Sequence, residues 1–213
     1  MLLTERKPKP AGKPKGKAKP KTYNPERTRA SLLKSGLELF GNRGYHATSV
    51  GDIAEAAGTT KGAFYHHFKS KEELLLVIHD EYVAHQLAAI EGVTGGGRSA
   101  SEQLRGLVLA VVSAVDRYRP HVQVFFQERR YLGKEQLATL RRKRDRLEKA
   151  LIDVLELGVR NGEFRGNLDV RVACLGILGM CAWTYQWFSS AGRLSAEQVS
   201  EEFCRIVLSG LQK

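Results

Sequence analysis

"SVGDIAEAAGTTKGAFYHHFKSKEELL", residues 49–75, carries three helix-start signals in one short run. Ser49 to Asp52 has the spacing of a capping box, Thr60 can cap a second helix, and Ser70 to Glu73 forms another box. Gly58 closes the first helix, and the second reaches only to about His67. Two short helices joined by a tight, Gly-containing turn are the sequence form of a helix-turn-helix.

The residue types divide by role. Ile53, Ala54 and Ala57 give the first helix an apolar face made mainly of small residues, so the second can cross close against it. At about 100° per residue, Lys61, Gly62, Tyr65 and His66 share one arc of the second helix, with Phe64 well away from it. Phe64 is therefore expected in the core and the others outside. Gly62 leaves the outer face low for close approach to a groove wall, and Tyr65 offers a ring and a hydroxyl. Lys61 adds charge near free backbone donors. Thr60 and Lys71, each at a helix start, are placed for phosphates on either side of a groove. A packing reading stands beside this one: Tyr65, His66, His67 and Phe68 could form an aromatic plug between helices.

Outward from this run, helix signals recur between Gly-, Pro- or Ser-rich breaks, with no long strand-like alternation. Asn24-Pro25 is an N-cap followed by Pro, and Leu32, Leu33, Leu37 and Phe40 line one face of the helix it opens. The helix begun at Ser70 extends to about Ile90, and "EGVTGGGRSAS" (91–101) is a linker. An apolar helix from Ser99 runs to Tyr118, Pro120 breaks or bends the chain, and a segment from about His121 to Leu132 follows. A charged amphipathic helix spans about Lys134 to Asn161, an apolar one 170–190, and a last one 195–211. The expected fold is all-α, with about nine helices: a helix-turn-helix domain over 23–76 and a larger helical domain over 77–213.

The formal net charge is +11, but residues 1–22 hold eight Lys/Arg against Glu5 alone, a net of +7, which leaves +4 for the remainder. Four of the six prolines lie in the same stretch. Such a composition cannot offset its ordering entropy, so a disordered basic tail is expected there. It reads either as a solubilising leader or as an arm adding phosphate contacts. The most apolar run, "VACLGILGMCAWTYQWF" (172–188), is short of the ~20 residues a bilayer needs and carries Thr184 and Gln186. A buried helix is expected rather than a membrane span, and no signal peptide is evident. Three cysteines, Cys174, Cys181 and Cys204, all in apolar pattern, suit a reducing cytoplasm.

On the 170–190 helix, Cys174, Ile177, Cys181, Thr184 and Phe188 form one stripe, and Gly176, Gly179 and Trp183 another. Trp183 and Trp187 share a face beside Gln186. They either pack in a helix bundle or wall the mouth of a pocket. Arg129 and Arg130, followed by Tyr131, suit phosphate recognition, with salt bridges to Glu128 or Glu156 as the alternative. The run "RRKRDR" (141–146) reads as a solvated helical face. Neither a cofactor nor a metal site is indicated: His79 and His85 are six apart, wrong for a helical metal pair, and no Ser or Cys sits in a nucleophile motif.

Residues 27–76 resemble the DNA-binding domain of TetR-family repressors. Ile53, Ala54, Ala57, Gly58, Gly62, Tyr65, His67, Phe68, Lys71 and Leu74 occupy the characteristic positions, preceded by "FGNRGYHATSV". The pair Thr59-Thr60 departs from the commoner Val-Ser but keeps a hydroxyl. The resemblance implies a homodimer on double-stranded operator DNA, with Tyr65 and Lys71 on phosphates, Lys61, Gly62 and His66 at the major groove, and His67 near phosphate. Thr48 and Ser49 complete the candidate DNA-contact set. "QERRYLGKEQ", "GVRNGEFRGNLDVRVACLGILGMCAWTYQWF" and "GRLSAEQVSEEFCRIVLSGL" are similar to the C-terminal domain of the TetR-type repressors of fatty-acid and cholesterol catabolism in actinobacteria. That similarity implies an acyl-CoA thioester as inducer, and Arg129, Arg130, Tyr131, Cys181, Trp183, Thr184, Gln186 and Trp187 as the candidate ligand set. Two alternatives remain at this level: a sequence-independent architectural DNA binder driven by the lysine tail, and a repressor that senses a hydrophobic molecule other than a CoA ester.

Overall fold

In a computed structural model, residues 24–212 are described; the expected basic tail, 1–22, lies outside them. Among the described residues the chain forms nine α-helices, one single-turn 3-10 helix and no strand. They are α1 (Pro25–Arg43), α2 (Val50–Ala56), α3 (Lys61–His67), α4 (Lys71–Glu91), α5 (Ala100–Arg117), α6 (Arg119–Glu128), the 3-10 turn (Arg129–Tyr131), α7 (Lys134–Arg160), α8 (Val170–Trp187) and α9 (Ala196–Leu211).

Local chemistry sets most helix starts. Asn24, Ser49, Thr60, Ser70, Ser99, Asp169 and Ser195 each accept a backbone N–H of the first turn, satisfying a donor that has no partner inside the helix. At Ser49, Ser99 and Ser195 the box is complete, because the side chain at N3 accepts the cap's own N–H. The box expected at Ser70 is only half made: Glu73 Oε2 takes the N–H of Lys69 instead, at 2.6 Å. The helix begun at Ser99 breaks ahead of Pro120 as expected, ending at Arg117 with Tyr118 as its C-cap. Pro120 sits in the first turn of α6, where a missing N–H costs nothing, and 119–128 is one helix. Glu163, just after α7, caps α5 from a distance, its two carboxylate oxygens accepting the N–H groups of Ala100 and Ser101 at 2.9 and 3.0 Å.

Two apolar cores result. One gathers Leu32, Phe40, Ile53, Phe64, Phe68, Leu74 and Ile78, together with Val124 and Phe125 of α6, Leu132 just after the 3-10 turn and Leu140 of α7. The other surrounds α5, which packs on α4, α7, α8 and α9. Helix α4 runs unbroken past position 76 and feeds both, Leu74, Leu75 and Ile78 into the first and Tyr82, Val83 and Ile90 into the second. The helix-turn-helix core is therefore completed by side chains from the larger part. The stripe Cys174, Ile177, Cys181, Thr184 and Phe188 is buried throughout. All three thiols are free and buried, and burial pushes them up to about 11 for Cys174 and Cys204 and about 12 for Cys181. Among the described residues no helix is long and apolar enough to cross a membrane.

Candidate nucleic-acid interface and effector region

Helices α2 and α3 meet as the sequence pattern demands. Ile53, Ala54 and Phe64 are buried, and Phe64 lies edge-on to Tyr65 and 5.6 Å from Phe68. Burying a Phe of this size contributes about 2–3 kcal/mol, enough to hold a two-turn helix that could not persist alone. Gly58 makes the turn between the helices in a left-handed conformation, φ +65°, which a side chain would strain. Ser31 Oγ closes the back of the turn by donating to Ala57 O at 3.2 Å.

The outer arc of α3 is open. Lys61, Gly62 and His66 are exposed, and Tyr65 keeps 57% of its surface. A Cβ built on Gly62 would meet only the Thr60 hydroxyl, at 3.7 Å. Lys61 reaches back along α2, its ammonium beside Gly51, so its charge stands at the crossing of the two helices. Ser49 and Thr60, both exposed, cap α2 and α3. His67 is half-buried, and desolvation, helped by nearby His66 and Arg29, holds its imidazole below the usual histidine value. At neutral pH it offers hydrogen bonds rather than charge.

Two residues of the expected DNA-contact set are committed inward. Thr48 is buried, and its hydroxyl donates to Gly44 O at 2.9 Å and Leu39 O at 3.4 Å. Its side chain ties the α1–α2 turn rather than facing a phosphate. Lys71 donates to Tyr45 O at 2.6 Å and Thr48 O at 2.7 Å, with its ammonium 4.1 Å above the Tyr45 ring. Desolvation lowers its pKa, against the pull of Glu128 and Glu72. The ammonium is drawn to those carbonyls because the turn 44–48 presents two of them to the start of α4.

The ligand candidates separate into distinct places and do not line one pocket. Cys181 borders an apolar void of about 10 Å³ between α5, α7 and α8, lined also by Leu107, Val111, Leu147 and Ile177, which has room for about one water. Thr184 is fully buried, and its hydroxyl is used up on Cys181 O at 2.6 Å. Neither glutamate weighed as a salt-bridge partner for Arg129 and Arg130 takes them. Glu156 pairs with Arg160 at 3.5 Å, and Glu128 accepts the N–H of Tyr45 at 3.1 Å. Arg129 lies instead over Phe126, 5.8 Å from its centroid, and Arg130 over Tyr131. Tyr131 leaves the effector region altogether, stacking on Tyr45 at 5.3 Å and meeting His46 edge-on at 4.0 Å.

What sequence reasoning missed is an aromatic strip across α6 and α8. Phe126 stacks on Tyr185 with centroids 4.9 Å apart and planes 7° from parallel, and Tyr185 meets Trp183 edge-on. Gln186 hydrogen-bonds the Tyr185 hydroxyl, so Arg129, Trp183 and Gln186 do share one surface strip. Trp187 turns toward Phe203 of α9. The i, i+4 spacing of Trp183 and Trp187 gave their common face, but nothing in it gave the opposing helix.

A reading helix with an open polar arc, braced by a second short helix and joined through α4 to a larger helical bundle, defines a DNA-binding regulator of the helix-turn-helix class. Residues 32–78 match the family model for bacterial regulatory proteins of the tetR family, and residues 97–211 match that for the tetracyclin repressor-like C-terminal domain. The chain belongs to the TetR family, as a transcriptional repressor and not an enzyme. It is 31% identical to the HTH-type transcriptional repressor KstR2 of Mycolicibacterium smegmatis over 88% of this chain and 92% of that one. Among solved structures it is similar to the ketosteroid transcriptional regulator KstR2 of Mycobacterium tuberculosis, with 30% identity and a TM-score of 0.77 over 87% of this chain and 95% of that one. It is also similar to AibR in complex with isovaleryl coenzyme A and operator DNA, with 28% identity and a TM-score of 0.73 over 84% and 97%.

Proposed function

We propose that the chain represses transcription from the cytoplasm as a homodimer on a palindromic operator and that an acyl-CoA thioester releases it. The observation that carries the reading is the outer arc of α3, where Gly62, Tyr65 and His66 stand clear of the protein with a low point at the glycine, and Lys61 is exposed with its ammonium beside Gly51. Phosphates would be met by Tyr65, by His67 and at the capped starts of α2 and α3, and bases by Lys61 and His66.

The dimer is supported by one apolar face of α8 and α9. Val172, Leu175, Trp183, Trp187 and Ile206 are each more than half exposed there, and among the described residues no neighbouring side chain approaches the Cβ positions of Gly176, Gly179 or Gly210. Apolar exposure of this extent, flattened by glycines, suits a second copy. Two-fold symmetry then requires a palindromic site.

The thioester is supported by the likeness to AibR, whose complex holds isovaleryl coenzyme A, and by the apolar void beside Cys181. An acyl group enters that void only if α7 or α8 moves away from α5. Both α7 and α4 pack on α5 and on each other, so such a movement reaches α4 and the helix-turn-helix. Enrichment of binding sequences from a random duplex pool, followed by titration with CoA thioesters and the matching free acids, tests the reading. A palindromic consensus and a thioester-specific loss of affinity are expected. Indifference to every CoA ester would sink the inducer class, and binding without sequence preference would instead favour an architectural role.

A further inference from the structure

Glu128, the last residue of α6, is a buried carboxylate whose environment calls for an explanation. Removing such a group from water is costly unless it is paired. Its neighbours in sequence do not pair with it, since Arg129 and Arg130 lie over aromatic rings. Its Oε1 accepts instead the main-chain N–H of Tyr45, at 3.1 Å, in the turn between α1 and α2.

The opposite side of the same residue is held by the opposite charge. The carbonyl of Tyr45 accepts from Lys71 Nζ at 2.6 Å, and the same ammonium takes the carbonyl of Thr48 at 2.7 Å. The Tyr45 ring is packed between Phe40, at 5.2 Å, and the stacked ring of Tyr131. Burial, with the negative charges of Glu72 and Glu128 nearby, pushes its hydroxyl up to about 12, so the ring stays neutral and in place. The turn is thus gripped from α6 on its amide side and from α4 on its carbonyl side. Thr48 directly precedes Ser49, the cap of α2, and α2 carries α3 against itself.

We infer that Glu128 is a positioning residue for DNA recognition: through Tyr45 it fixes where α2 begins, and so the pose in which α3 meets the duplex. The inference rests on the operator reading above for its functional consequence and on the clamp geometry for its mechanism. Sequence-specific binding needs α3 at a set depth and angle, whereas non-specific attraction needs only charge. Loosening the clamp therefore lowers the ratio of operator to random-duplex affinity and leaves the random-duplex affinity in place.

The test compares Glu128→Ala and Glu128→Gln with the wild-type chain, using the duplex that the wild-type chain enriches, a random duplex and thermal unfolding. The alanine variant should lose about tenfold in the affinity ratio, the equivalent of one charged hydrogen bond. The glutamine variant, whose amide oxygen still accepts the Tyr45 N–H, should lose about threefold, since a neutral bond has roughly half the strength. A purely structural role would lower the melting temperature and leave the ratio of the folded protein unchanged, which overturns the assignment. Should the alanine variant not fold, an unchanged ratio in the glutamine variant overturns it alone. Hydrogen exchange across residues 44–56 separates this failure from that of the operator reading. Faster exchange at Tyr45 and α2 in Glu128→Gln upholds the clamp even where no sequence is enriched, and unchanged exchange refutes it.

Discussion

The imidazole of His79 lies flat on the ring of Phe125, centroids 3.6 Å apart and planes 14° from parallel. Among the described residues neither ring nitrogen has a hydrogen-bond partner, and the side chain is almost fully buried. His79 stands on α4 between Ile78, in the first core, and Tyr82, in the second, while Phe125 comes from α6. The contact therefore ties the two cores together with a group that must stay neutral.

Stability should depend on pH through this residue. Burial, with Arg144, Lys143 and His121 adding repulsion, lowers the His79 pKa from 6.5 to about 3. Between those values the unfolded chain binds a proton that the folded chain refuses, so stability is greatest above pH 6.5 and falls as the pH drops toward 3. The limiting slope is about 1.4 kcal/mol per pH unit. His79→Leu should flatten the dependence and, by removing two unpartnered nitrogens, add about 1 kcal/mol at pH 7. Coincident melting curves for the two proteins across the acid range would refute this.

Gly62→Ala should separate stability from function. The new methyl meets only the Thr60 hydroxyl, at an ordinary contact distance, so the protein should fold and α3 should gain about 0.5 kcal/mol. On the outer arc the same methyl fills the low point of the proposed DNA face. Operator affinity should fall by about tenfold, or 1.4 kcal/mol. A variant that binds as tightly as the wild type would show that α3 does not approach the groove along this arc.

At Gly158 the opposite balance holds. This helical position on α7 sits against the fully buried ring of Phe164, and a Cβ there would overlap it. The ring has little room to retreat within the second core, so Gly158→Ala should destabilise by about 1–3 kcal/mol despite the better helix propensity of alanine. The midpoint of urea unfolding measures it, and an unchanged or higher midpoint would mean that the ring moves freely.

How much of the fold is legible in the sequence depends on the range of the interactions involved. Caps such as Ser49–Asp52 were legible because donor and acceptor lie three residues apart, within one helical turn. Phe64 was legible because a two-turn helix has one inward face. Thr48 and Lys71 were not: the carbonyls that hold Lys71 lie 26 and 23 residues away, and only the folded turn brings them to α4. Glu128 is 83 residues from Tyr45, and its sequence neighbours Arg129 and Arg130 suggested a salt bridge that does not form. Phe126 and Tyr185 were overlooked for the same reason, since each helix shows its own face and not the one opposite.

Trp183 is 60% exposed on the face of α8 that carries Leu175 and adjoins the open glycines. If a second copy covers that face, a carboxylate placed there must be desolvated without a partner, at a cost well above one hydrogen bond. Trp183→Glu should then weaken the dimer by at least about a hundredfold, or 2.8 kcal/mol. Leu137→Glu, at an exposed position on α7, is the control for a charge added elsewhere. Sedimentation should find the first variant monomeric with its helix content intact and the second dimeric. Operator binding should fall with the dimer, because one reading head loses the half-site affinity that its tethered twin supplies. A Trp183→Glu dimer of unchanged mass would move the interface off α8 and leave this apolar face to another partner.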